Sequence, residues 1–144
     1  MNLQKMIFLD RDGVLNRVWV HEEQGTIDSP MNIQQVELFP EIPKTLKSLQ
    51  DLGFGLCIVT NQPAAAKRKT TLENLQKVHQ EIVRQCESQG AKIITSKICF
   101  HRSEDNCSCR KPKPGMLLEV VQEHPVHIKD SWMIGDGEIG RAHV

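Results

Sequence analysis

The sequence predicts an α/β fold, a doubly wound three-layer sandwich built around a mostly parallel sheet. Two observations carry that expectation. Short apolar runs alternate with stretches of helical period, and the chemically suggestive residues fall where those runs end. Strand alternating with helix argues for βαβ units and a sheet covered on both faces. In such sheets ligands bind beyond the carboxyl ends of the strands.

The apolar runs at 6–9, 55–59, 97–100 and 131–134 read as strands, the third being half polar. Ile42, Leu46, Leu49 and Leu52 recur at spacings of four and three, as do Leu72, Leu75, Val78, Ile82, Val83 and Cys86, so each set marks a helix. Thr70 followed by Glu73 reads as a capping box opening the second helix. A third helix begins near Pro114, a residue suited to a first turn, and ends before Pro125. The stretch 17–40 has no helical period and is expected to run as an extended excursion over the site.

At 144 residues, one domain and one active site are expected. The 39% hydrophobic and 25% charged composition is ordinary, and 18 basic residues balance 18 acidic ones, which favours neither nucleic acid nor a membrane surface. The amino terminus fits neither a signal peptide nor a span, so a cytoplasmic, monomeric protein is expected.

Phe8-Leu9-Asp10-Arg11-Asp12-Gly13 sets two carboxylates two positions apart behind an apolar strand, on one side if the chain stays extended. One ionised carboxylate can attack phosphorus while a second protonates the leaving alcohol, and like-charge proximity would help keep one of them protonated. Asp10 is the expected nucleophile and Asp12 the acid and then the base. Gly13 would let the chain turn and leave backbone amides facing a phosphate. Alone, the segment is equally at home as a polar turn. Thr60, ending the second strand, can donate to a phosphoryl oxygen. Lys111, in Arg110-Lys111-Pro112-Lys113-Pro114-Gly115, can offset charge on a phosphoryl group in transfer. Asp136 ends the fourth strand, and with Asp10 and the carbonyl of Asp12 it would offer Mg2+ the oxygen ligands it prefers. Each element alone is weak; four in this order are not.

Of five cysteines, three bunch with a histidine as Cys99, His101, Cys107 and Cys109. Three thiolates and an imidazole suit tetrahedral Zn2+, and four protein ligands make a structural site that would hold Arg110 and Lys111 in place. Cys57 and Cys86 read as core residues.

Taken together, Asp10-Arg11-Asp12-Gly13, Thr60-Asn61-Gln62, Cys-x-His with Cys-x-Cys-Arg-Lys-Pro, and Gly135-Asp136 resemble the haloacid dehalogenase superfamily of phosphatases over residues 6 to about 136. The likeness is to the branch acting on heptose bisphosphate and histidinol phosphate. It implies a Rossmann-like HAD fold, an aspartyl-phosphate at Asp10, acid/base work by Asp12, and phosphate or substrate binding by Thr60, Asn61, Arg110 and Lys111. Mg2+ would sit on Asp10, Asp12 and Asp136, with Zn2+ in the cysteine loop. The substrate is expected to be a small phosphate ester, most simply a heptose bisphosphate, because Gly115-Met116-Leu117-Leu118 resembles those enzymes. The five-residue interval between His101 and Cys107 resembles the histidinol-phosphate enzymes instead. A zinc-stabilised phosphate-binding module without turnover is the alternative of a different class. The tail 138–144 lacks an apolar period and the acidic residue with which relatives continue, and it is one translation of a common sequencing adapter. The single domain over 1–144 is therefore expected to be shortened, with a foreign tail, which sequencing the source gene through this point checks.

Overall fold

The structure, a computed structural model, describes residues 3–21, 26–135 and 138–141. In chain order it runs β1 (Lys5–Leu9), β2 (Trp19–His21), β3 (Thr26–Asp28), α1 (Ile42–Asp51), β4 (Phe54–Asn61), α2 (Leu72–Cys86), β5 (Ile93–Cys99), α3 (Gly115–Glu123), β6 (Trp132–Gly135) and β7 (Glu138–Arg141). A five-stranded sheet has the order β5-β4-β1-β6-β7. Its pairings are parallel except that of β6 with β7. The chain winds outward from β1 through β4 to β5 and then returns to β6 on the other side of β1. That reversal puts a crevice at the carboxyl end of β1, where Asp10 lies.

Alternation along the central strands divides two cores. Ile7, Leu9, Leu56 and Ile58 pack with Leu46 of α1 and Val78, Ile82 and Cys86 of α2. Met6, Phe8, Cys57 and Val59 pack with Met116 and Val120 of α3 on the opposite face. Because both faces are covered, β1 and β4 read as unbroken apolar runs, not as alternating ones. Cys57 and Cys86 are core residues as expected, and burial is the main reason that both thiols are pushed up to about 12.

The third strand starts earlier than its apolar content suggests, at Ile93. It is an edge strand, and its polar residues find partners outside the sheet: Lys97 pairs with Glu123 of α3 at 2.8 Å and with Glu119 at 3.6 Å. The capping box is also corrected. The Thr70 hydroxyl donates to the Met31 carbonyl, so Thr71 caps α2 by accepting from the Asn74 amide. The 17–40 excursion is partly regular: β2 and β3 form a hairpin, and the chain returns through Arg17 N–H to the Glu37 carbonyl at 2.8 Å. Residues 138–141, which lack an apolar period, form β7, whose antiparallel pairing to β6 needs backbone groups and no side-chain period.

Candidate active site

Asp10 follows β1 directly, and its N–H donates to the Ile134 carbonyl of β6 at 2.9 Å, which anchors it between two strand ends. Its Oδ1 accepts from Lys111 Nζ at 2.6 Å and from the Arg11 N–H at 2.8 Å. Oδ2 takes no hydrogen bond from the described residues. One oxygen is thus held and the other left for a reacting atom or a cation. Lys111 reaches Asp10 across 101 positions of sequence and also donates to the Val59 carbonyl at 3.0 Å.

Asn61 explains how Lys111 is delivered. Its side chain accepts from the Lys111 N–H at 3.0 Å and donates to the Lys111 carbonyl at 3.2 Å. The Asn61 carboxamide therefore holds the main chain of the lysine, where phosphate contact was expected of this residue. Thr60 is buried, and its hydroxyl oxygen accepts from Gln62 Nε2 at 2.9 Å, so its own proton remains to be donated.

Asp12 sits in a denser network. Oδ1 accepts from Arg11 Nε and Asn16 Nδ2, both at 2.9 Å, while Oδ2 accepts from Ser29 Oγ and, at 2.7 Å, from Gln62 Nε2. Burial pushes its carboxyl up, but the Arg11 charge and the bonds from Arg11, Ser29 and Asn16 outweigh it, and the net shift is downward. Each carboxylate has its own cation, Lys111 on Asp10 and Arg11 on Asp12, and Asp12 is held down and not raised as like-charge repulsion would have it. Gly13 turns the chain at φ +86°, as expected, yet its N–H is taken by the Asn16 carbonyl at 2.8 Å and cannot face a phosphate.

Arg11 is fully buried, and its Nη1 lies 3.4 Å from His79 Nδ1 on α2. Burial, reinforced by the Arg11 charge and partly offset by Asp12, pushes His79 down to about 4. The folded protein then holds this imidazole neutral, whereas the unfolded chain takes up a proton below about 6.5. Stability from this group is complete above that pH, falls between 6.5 and about 4, and is constant below. The predicted loss is about 2 kcal/mol by pH 5 and about 3 kcal/mol in full. Urea unfolding of the wild type and His79→Leu at pH 7.5 and pH 5 checks it; equal pH slopes in the two proteins would refute it.

Cys99, His101, Cys107 and Cys109 converge, with ligand atoms all within 4.8 Å of one another. Cys99 Sγ lies 3.6 Å from Cys107 Sγ and 3.5 Å from His101 Nδ1. A tetrahedral Zn2+ with bonds of about 2.3 Å to sulfur needs ligand separations of about 3.8 Å. Cys109, at 2.9 Å from Cys99, would have to move outward. The donor set and spacing fit a soft four-coordinate cation. Two of the thiols shift in opposite directions: against the effect of burial, the Arg110 N–H and the neighbouring thiols pull Cys107 down to about 6, while burial and its own thiol neighbours push Cys109 up to about 12. Arg110 itself braces this loop, Nη1 donating to the His101 carbonyl at 3.3 Å, and makes no hydrogen bond to Asp10 or Asp12.

Gly115 seats the loop on α3. Its N–H donates to the Ser108 carbonyl at 3.1 Å, and a Cβ at this position would lie 2.2 Å from that same oxygen. Gly115→Ala is predicted to destabilise the protein by about 2 kcal/mol and to lower its bound-metal content. Unfolding midpoints and elemental analysis measure both; an unchanged midpoint with full metal content would show that the seam can yield.

Asp136, the third expected Mg2+ ligand, lies outside the described residues. What remains of that set, the Asp10 carboxylate and the Asp12 main chain, consists of hard oxygen donors of the kind Mg2+ accepts. Arg11, Asn16, Ser29, Gln62 and His79 had not been singled out as site residues. Arg11 and Gln62 lie inside the recognised motifs; the others carry no local signal.

Among the described residues no helix is long and apolar enough to cross a membrane. The haloacid dehalogenase-like hydrolase family matches residues 13–140, beginning just after the Asp10-Arg11-Asp12 segment. The D-glycero-beta-D-manno-heptose-1,7-bisphosphate 7-phosphatase of Helicobacter pylori is 32% identical over 139 residues, covering 96% of this chain and 76% of its own. A D-glycero-alpha-D-manno-heptose-1,7-bisphosphate 7-phosphatase of Mycobacterium bovis is 33% identical over 85% of this chain and 61% of its own. The D,D-heptose 1,7-bisphosphate phosphatase of B. bronchiseptica, solved with magnesium and phosphate, superposes with a TM-score of 0.73 at 26% identity, over 87% of this chain and 66% of that one. With a family match over nearly its whole length and the same mostly parallel sheet, the chain belongs to the haloacid dehalogenase-like hydrolases.

Proposed function

We propose that this chain is a single-domain, magnesium-dependent phosphatase that removes the 7-phosphate of D-glycero-D-manno-heptose 1,7-bisphosphate through an aspartyl-phosphate at Asp10. The observation that carries the reading is Asp10 itself, with one oxygen 2.6 Å from the Lys111 ammonium and the other without a hydrogen bond from the described residues. The names of the Helicobacter pylori and B. bronchiseptica relatives support the substrate. The open oxygen attacks phosphorus, the bond from phosphorus to the sugar oxygen breaks, and Asp12 gives that oxygen a proton. A water then attacks the aspartyl-phosphate, Asp12 takes its proton, and phosphate leaves with the Asp10 carboxylate restored. Asp12 is held ionised before substrate arrives, which suits the base half directly; the negative charge of an incoming phosphate favours its protonated form for the acid half. Thr60 donates to a phosphoryl oxygen and Lys111 neutralises another. Mg2+, held by Asp10, the Asp12 carbonyl and Asp136, would supply positive charge at the phosphoryl group. The cysteine loop takes Zn2+.

The short interval between His101 and Cys107 favours histidinol phosphate as a second reading. Magnesium-dependent phosphate release from both esters decides. The heptose ester should show the higher kcat/KM; the reverse ranking would reassign the substrate. No release from either, with both bound, would make the chain a binding module.

A further inference from the structure

We infer that the cleft beside Asp12 is a second phosphate site, in which Lys67 and Lys69 bind the phosphate carried by the leaving group. The inference rests on the reading above, in which Asp12 protonates the leaving oxygen. If it does, the leaving group lies on the Asp12 side of the transferred phosphoryl. Two donors to Asp12 Oδ2, Ser29 and Gln62, also line a cleft completed by Ile27, Asp28, Lys67 and Lys69. A leaving group entering there from Asp12 meets the two lysines that line this cleft, Lys67 and Lys69.

The lysines are placed by backbone, not by chance of surface composition. Past β4 the chain turns tightly, with the Lys67 N–H bonded to the Pro63 carbonyl at 3.0 Å and the Lys69 N–H to the Ala64 carbonyl at 2.9 Å. Arg68 between them adopts φ +60°. Lys69 is tied to Asp28 of β3 at 3.3 Å, which joins the turn to the hairpin and closes one wall. Lys67 forms no ion pair among the described residues. Asp28 already pairs with Lys69, so the Lys67 charge is the one that a phosphate would neutralise and a sugar hydroxyl would not. Charge-assisted bonds from both lysines are the chemistry that would separate a bisphosphate from a monophosphate of the same sugar.

Steady-state kinetics on heptose 1,7-bisphosphate and heptose 7-phosphate test the site, comparing wild type with Lys67→Ala/Lys69→Ala. The ratio of kcat/KM for the two esters should fall about tenfold or more in the double variant, through KM for the bisphosphate. Equal proportional losses on both esters would overturn the assignment. Calorimetric titration of the bisphosphate onto Asp10→Asn and onto the triple variant with both lysines replaced reads the cleft without turnover. A Kd weakened about tenfold supports the site and an unchanged Kd sinks it. Wild type that releases no phosphate from either ester would instead refute the phosphatase reading, leaving the titration to judge the cleft.

Discussion

Asp10→Asn is expected to reduce magnesium-dependent phosphate release by about 10⁴-fold or more, because it removes the proposed nucleophile and leaves everything around it in place. The amide has the shape of the carboxylate but neither the charge nor the lone-pair basicity to attack phosphorus. Its Oδ1 can still accept from Lys111 and from the Arg11 N–H, so the strand end and the lysine should stay put. The side chain is partly exposed, and little stability should change. Acid-quenched protein mixed with substrate should carry phosphate in the wild type and none in the variant. Release that survives the substitution would exclude Asp10 as the nucleophile. Lys111→Ala is a milder lesion: attack remains possible, but against uncompensated phosphoryl charge, and a loss of about 10²- to 10³-fold is expected. The gap between the two variants separates the atom that reacts from the charge that helps it.

The parts of this site legible in sequence are those that sit where an apolar strand stops. Asp10 follows β1 and Thr60 is the next-to-last residue of β4, both strands being buried on two faces, so the strands announce themselves and the site residues lie at their ends. Lys111 could be placed near the site by topology, but not aimed. What aims it, the Asn61 clasp, spans 50 positions and is indistinguishable in sequence from an asparagine at a turn. The same holds for the groups that set the charge of Asp12. Gln62 reaches it across 50 residues and Ser29 across 17, while His79 meets Arg11 across 68. No local pattern encodes such contacts. In the fold, β2, β3 and β7 were missed because three or four residues give no period to count, and the hairpin leaves Trp19, Val20 and Ile27 exposed. β5 starts four residues before the apolar run at 97–100, a start hidden because Thr95 and Ser96 look like loop until their pairing with β4 is known.

Removing the metal proposed for the cysteine loop is expected to cost activity about 100-fold while leaving the sheet intact, when assays are run with excess Mg2+ and reductant. Cys99 closes β5 and is buried in the core with Met116 and Val120, but Cys107 and Cys109 pack only at its margin. Between them the chain has one short turn, Ser103–Asp105, and exposed polar residues, so little besides the ligands orders it. A bound cation supplies that order as folding free energy. The consequence reaches the site because Cys109 is two residues before Lys111, and Ser108 is seated on Gly115 at the start of α3. Without the metal the three thiols lose their shared charge partner and spread. The loop should then expose Arg102, Arg110 and Lys111 to trypsin, with the Asn61 clasp left as the main restraint on Lys111. Limited proteolysis, with circular dichroism to confirm the retained sheet, follows the loop; one Zn2+ per chain by elemental analysis, and recovery of activity on adding Zn2+ back, identify the cation. A metal-free protein that keeps both its activity and its resistance to trypsin would show that Asn61 and Gly115 suffice to hold the lysine.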